Sequence, residues 1–264
     1  MHIAKTFTAA AATLAFVGFA DAGSLYSFDL DRQGSKLINQ DGDAVRAGIN
    51  DKAGRVLGVS GSYDELNQTL SWSTTVANNK NGTGYESFWL VINNGGNPKT
   101  RKQEGKLGMI FFDRNGGDPT LSVYQYTSAG GNSWKNGELI ASSEIDDSFV
   151  LASSFEKQSS PGERTGSFTL DVSGINSALG NGWQGLMFDE TVGLWMHLFD
   201  HRKPGAKYND DGELTHWSFK KHGWVDTDGF STEETNAVPT PSAALAGLAG
   251  LGLLANRRKR HATA

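Results

Sequence analysis

The segment Thr69-Leu70-Ser71-Trp72-Ser73-Thr74-Thr75-Val76 decides the fold. Leu70, Trp72, Thr74 and Val76 share one face of an extended chain, and small polar residues share the other. That period of two belongs to a half-buried strand, because successive side chains of a strand point to opposite sides. Ser167–Val172 repeats it, with Phe168, Leu170 and Val172 set against Ser167, Thr169 and Asp171. Phe88–Ile92, Met109–Phe112 and Val192–Phe199 are more continuously apolar, as strands in the centre of a sandwich are. Leu25–Leu30, Leu121–Tyr126, Ser148–Ala152, Gly185–Phe188 and Leu214–Phe219 bring the expected strands to about ten. Between them lie Asn/Asp/Gly/Pro turns such as Asn93–Pro98, Arg114–Pro119 and Asn209–Gly212. Helix is expected only as a short turn near Ile175–Leu179, and no internal repeat is present. The reading is all-β: a two-sheet β-sandwich or jelly-roll-like ectodomain over residues 23–230, with a C-terminal apolar helix beyond it.

Composition narrows the chemistry. The chain has 264 residues, 33 of them glycine, and its formal net charge is −5. It has no cysteine, which excludes disulfides, thiolate metal sites and a cysteine nucleophile. An acidic balance argues against a nucleic-acid partner.

The two ends read as processing signals. Lys5, an apolar stretch from Phe7 to Ala20, and Ala20-Asp21-Ala22 before Gly23 follow the order of a secretory signal peptide over residues 1–22. Small residues Ala20 and Ala22 stand at −3 and −1 of the expected cut. At the other end, Val238-Pro239-Thr240-Pro241 opens an Ala/Gly/Leu run from Ser242 to Ala255, followed by Arg257-Arg258-Lys259-Arg260. The positive-inside rule keeps these cations in the cytoplasm and the preceding domain outside. The run is 14 residues long. As a helix that is about 21 Å, short of the roughly 30 Å hydrocarbon core, which suits a span held briefly and then cut. Ser231–Ala237, rich in Ser, Thr, Glu and Asn, reads as a linker. Removing both ends takes the basic residues from 24 to 19 and the acidic ones from 29 to 28, leaving −9.

This tail over residues 238–264 is similar to the PEP-CTERM sorting signal of Gram-negative-type bacteria. Val238, Pro239 and Pro241 match its motif, while Thr240 stands where the family usually has Glu. The resemblance implies recognition by an exosortase-like membrane transpeptidase, initial anchoring in the inner membrane by the C-terminal helix, and a final place at the cell surface or in the extracellular matrix. It also implies a role alongside exopolysaccharide. The runs Ser87–Ile92 and Val192–His197 loosely resemble the ectodomains that precede such tails, which implies a fold and no chemistry.

Candidate chemistry is sparse. Glu144-Ile145-Asp146-Asp147-Ser148-Phe149 begins like the Glu-x-Asp-x-x-Glu strand of laminarinase-like hydrolases, then has Phe149 where the second Glu is needed. His197 and His201 are four residues apart, a spacing that chelates zinc on a helix but spans about 13 Å on a strand. His216 and His222 complete this candidate group, the alternative being polar loop histidines. Asp113, Asn115 and Asp118, or Asp210, Asp211 and Glu213, could gather oxygens around calcium; the alternative is ordinary turn composition. Neither a metal nor another cofactor is otherwise called for. Trp72, Trp89 and Trp195 fall within strand patterns and read as core. Trp134, Trp183 and Trp224 fall in expected loops and are the candidate carbohydrate-binding residues, the competing role being to cap the sandwich end. The preferred expectation is a non-enzymatic exported protein that binds polysaccharide. A secreted glycoside hydrolase and a purely structural matrix protein are the alternatives.

Overall fold

The computed structural model describes residues 23–45, 47–48, 54–78, 84–98, 106–114, 117–127, 138–158, 162–199, 206–208, 214–217, 224–227 and 229–236. In chain order the first strands are β1 (Ser24–Gln33), β2 (Lys36–Asn39), β3 (Ala44–Val45), β4 (Ala47–Gly48), β5 (Arg55–Asp64), β6 (Thr69–Ala77) and β7 (Ser87–Asn93). Next come β8 (Lys106–Asp113), β9 (Thr120–Thr127), β10 (Leu139–Ser142), β11 (Val150–Gln158), β12 (Glu163–Asp171), the helix α1 (Ser173–Leu179) and β13 (Trp183–Gln184). The last are β14 (Thr191–Phe199), β15 (Ala206–Tyr208), β16 (Leu214–Trp217), β17 (Trp224–Asp226), β18 (Phe230–Ser231) and β19 (Glu233–Asn236).

They form two large sheets. The first runs β11-β12-β6-β5-β1-β2-β3, with β19 also paired to β1. The second runs β10-β9-β8-β7-β14-β17-β4, with β13 on β8 and β18 on β14. Pairing is antiparallel except for the two-residue β13. One core lies between facing sides. It takes Phe28, Leu70, Trp72 and Phe168 from the first sheet and Phe88, Ile110, Phe112 and Leu194 from the second.

Particular contacts fix this arrangement. Phe28 packs edge-on against Trp72, Phe188 and Phe230, with ring centroids 6.0, 5.6 and 5.4 Å away. Its ring lies over Gly61, its cross-strand partner, where a Cβ would stand only 2.7 Å from the Phe28 Cε1. The Trp72 indole N–H donates to Thr74 Oγ1 at 2.7 Å, and that hydroxyl donates to Met196 Sδ of the second sheet at 3.4 Å. Tyr85, fully buried just before β7, donates to the Thr74 carbonyl at 2.8 Å and accepts the Gly166 N–H at 3.0 Å. Burial pushes its phenol far above the ordinary range.

One end of the sandwich is clamped by charge. Glu86 Oε1 meets Lys157 Nζ at 2.7 Å, Arg164 Nη1 at 3.0 Å and Arg114 Nη1 at 3.6 Å. Lys157 and Arg164 belong to the first sheet, whereas Glu86 and Arg114 flank strands of the second. Burial alone would raise the Glu86 pKa, but the Lys157 hydrogen bond and the three cations outweigh it and hold the carboxyl below its ordinary value.

Most expected strands stand where the period of two put them. Ser148–Ala152 is displaced: β11 starts at Val150 and continues to Gln158. Gly185–Phe188 is not a strand, although Leu186 and Phe188 are buried in the core. The proposed linker is a correction as well. Within Ser231–Ala237, β18 joins β14, and β19 pairs Glu233–Asn236 with Ser24–Ser27 of β1. Polar side chains suit that place because its outer side faces water, while Phe230 anchors it on Phe28. The expected C-terminal apolar helix falls outside the described residues, among which no helix is long and apolar enough to cross a membrane.

Two stability outcomes follow. Phe28→Ala should cost about 3–5 kcal/mol in urea unfolding, since it empties the centre of the aromatic cluster. Glu86→Gln should cost about 1–2 kcal/mol at neutral pH. Because its folded pKa is depressed, the Glu86 contribution is complete above the ordinary value of 4.5 and is lost as pH falls through the lower folded value. Unfolding midpoints of the natural protein and of Glu86→Gln should therefore converge on acidification below that value.

Candidate binding surface

The same alternation that fills the core leaves a hydroxyl lattice on the outer face of the first sheet. Register aligns Ser154, Ser167, Ser73, Ser60 and Asp29 in one row across five strands. On one side lies the row Ala152, Thr169, Ser71, Ser62 and Ser27. On the other lies Glu156, Thr165, Thr75, Gly58 and Asp31. Ten of these fifteen positions carry a hydroxyl, so the face is flat and uniformly short. Neighbouring rows repeat at roughly 6.8 Å along the strands, and neighbouring strands at ~4.8 Å.

A shallow groove of ≈ 380 Å³ runs over this face, lined by residues of β1, β5, β6, β11 and β12. Two hydroxyl pairs brace it, Ser154–Ser167 at 2.7 Å and Ser71–Thr169 at 3.0 Å, and a third, Thr75–Thr165 at 3.0 Å, lies beside it on the same face. Each hydroxyl can donate once and accept twice, so such a pair keeps capacity for a ligand above it. Acids sit only at the margins, at Asp29 and Asp31 of β1 and at Glu156 of β11. The arrangement suits a neutral polyol better than an anion.

The second sheet has a different outer face. Trp89, Tyr124, Tyr126 and Trp195 form a separate buried cluster there with Val91, Leu107 and Met109. Trp89 stacks on Phe111 at 4.2 Å and Trp195 on Tyr126 at 6.3 Å. Burial and the nearby Asp226 charge push the Tyr126 phenol up to about 12. Trp89 and Trp195 are thus buried as the strand patterns imply, but outside the main core that holds Trp72.

The residues singled out by sequence are scattered. Trp183 lies in β13, half-buried against the main core. Trp224 opens β17 opposite His197, three strands away from the β8 edge where Trp183 pairs. Trp134 lies outside the described residues, as do Ala20, Ala22, Val238, Pro239, Thr240, Pro241, Arg257, Arg258, Lys259 and Arg260. Gly23 directly precedes β1. Glu144, Asp146 and Asp147 are exposed in the turn before β11. Asp146 accepts the Ser148 N–H at 3.0 Å, which holds its carboxyl below the usual range, the reverse of what a general acid needs. Asp113 accepts the Ser87 hydroxyl, Asp118 is exposed, and Asn115, Asp210, Asp211 and Glu213 are not described. Among the described residues no three acids or histidines gather as a metal site. His197 is buried beside Trp195, His216 pairs with Lys207 between β15 and β16, and His201 and His222 are not described.

In the sequence, serine and threonine mark only the solvent side of each separate strand; the hydroxyl face exists only once Ser73 is registered with Ser167 and Ser60. In comparison with known proteins, the chain matches no family model, no curated protein and no solved structure.

Proposed function

We propose that the chain is an exported cell-surface or matrix protein, released from its C-terminal sorting signal by an exosortase-like transpeptidase. Its folded domain binds neutral extracellular polysaccharide without cleaving it, through the hydroxyl face. The observation that carries the binding reading is the continuous row from Ser154 to Asp29 with its open groove. Sugars present hydroxyls of the same dual donor and acceptor character, so each contact exchanges one bond to water for an equivalent bond to the protein. Support for the export reading comes from the sequence of the two ends: Lys5 and the apolar stretch up to Ala22, and the Val238–Pro241 motif with its apolar run and Arg257–Arg260.

Two measurements test this. Intact mass of the mature protein should show loss of residues 1–22 and of the chain beyond about Pro241; a C-terminus that still carries Arg257–Arg260 would overturn the sorting reading. Retention on a neutral β-glucan matrix should fall at least tenfold in Ser73→Arg, which fills the middle of the groove, with thermal stability little changed. If Trp134→Ala, Trp183→Ala or Trp224→Ala loses retention while Ser73→Arg keeps it, binding belongs to the tryptophans instead.

A further inference from the structure

The groove on the first sheet has a direction. Its lining takes the whole of two rows, Ser154 to Asp29 and Ala152 to Ser27, with the row between them, and nothing from the Glu156–Asp31 row. It therefore crosses all five strands rather than following any one of them. Five strands span about 19 Å, and the two rows stand roughly 6.8 Å apart. In the row between, Phe28, Trp72 and Phe168 turn their side chains into the core. Strands β12, β6 and β5 are each paired on both sides, so the peptide groups of Phe168, Trp72 and Gly61 are spent on the sheet. The groove is thus a trough with a plain backbone floor and two walls of short side chains. Both walls carry hydroxyls at β12 (Thr169 and Ser167), β6 (Ser71 and Ser73) and β5 (Ser62 and Ser60). At β11 one wall is Ala152, and at β1 one wall is the Asp29 carboxylate, which only accepts.

We infer that this trough holds a single linear glycan chain laid across the strands, one sugar to a strand, a placement that rests on the domain being a polysaccharide binder. A pyranose ring with equatorial substituents has two C–H faces and hydroxyls around its edge. Laid flat on the backbone floor, it turns one edge to each wall, where the paired hydroxyls of β12, β6 and β5 meet it. An extended chain of equatorially linked rings advances per sugar by close to the ~4.8 Å that separates neighbouring strands. Five strands then offer five subsites, complete at the three central strands and weaker at the β11 end, where the Ala152 side chain makes no hydrogen bond. Successive strands of a sheet are rotated by roughly 20–25°, so the trough turns as it crosses them. A single dissolved chain can follow that turn, whereas the flat face of a crystalline fibre cannot.

Dependence on ligand length tests this. In calorimetric titration of the full chain with cello-oligosaccharides of two to six glucose units, affinity should rise at least tenfold from three units to five and gain nothing at six. Ser154→Arg fills the β11 end of the trough from an exposed position, so thermal stability should change little. In that variant the plateau should come at four units. A chain lying along one strand would meet only two rows, so its affinity would level off by three units and ignore Ser154→Arg; either result overturns the transverse placement. Retention of the natural protein on the β-glucan matrix tells the two failures apart. Retention with the wrong length profile overturns the placement alone, whereas no retention overturns polysaccharide binding and the placement with it.

Discussion

The pairing of Trp72 with Phe168, and of Ser73 with Ser167 one residue along, is the constraint on which the rest depends. A shift of one residue would bury the hydroxyls and expose the aromatics, since a strand has only two sides. Several contacts hold the register from within. Phe28 occupies the space that Gly61 leaves, and the Tyr85 hydroxyl bridges Thr74 and Gly166 across the β6–β12 pair. Core and groove are consequently two sides of one alignment. A substitution that loosens the first would blur the second.

The two sheets put their outer faces to different uses. On the first, short hydroxyl side chains leave a broad polar surface open to solvent. On the second, large aromatic rings are withdrawn from water into their own cluster. Burying that cluster gives the second sheet apolar contacts on both sides, which explains why β7 is buried along its whole length. A sequence segment such as Ser87–Asn93 therefore carries no alternation to read.

This difference also marks what the sequence made legible. Strands with one wet side, β6 and β12, are visible as strict alternation, and β7, β8 and β14 as apolar runs. β5 escaped because Gly58, Gly61 and the polar Arg55, Ser60, Ser62 and Asp64 dilute its apolar positions, and a bulge between Val56 and Gly58 breaks its period. β19 escaped because Glu233–Asn236 has a linker's composition; its place comes from backbone pairing and from Phe230, neither of which is local. The groove escaped for a related reason. No single strand contains it, and it exists only once β11, β12, β6, β5 and β1 are laid side by side. Tryptophans drew attention as sugar platforms, yet Trp183 spends its ring on packing against the core.

The strap formed by β18 and β19 has a consequence for the order of folding. Ser24 and Glu234 are bonded across a separation of 210 residues. Almost the whole domain must be threaded before that edge of β1 can close, and closure over so long a loop is among the costliest and slowest contacts a chain can make. In a chain delivered N-terminus first, the opening strand waits half-paired on β5 until its final partner arrives. Among the described strands, that edge of the first sheet is therefore the last to close, and it does so through residues some 210 positions away from those it covers.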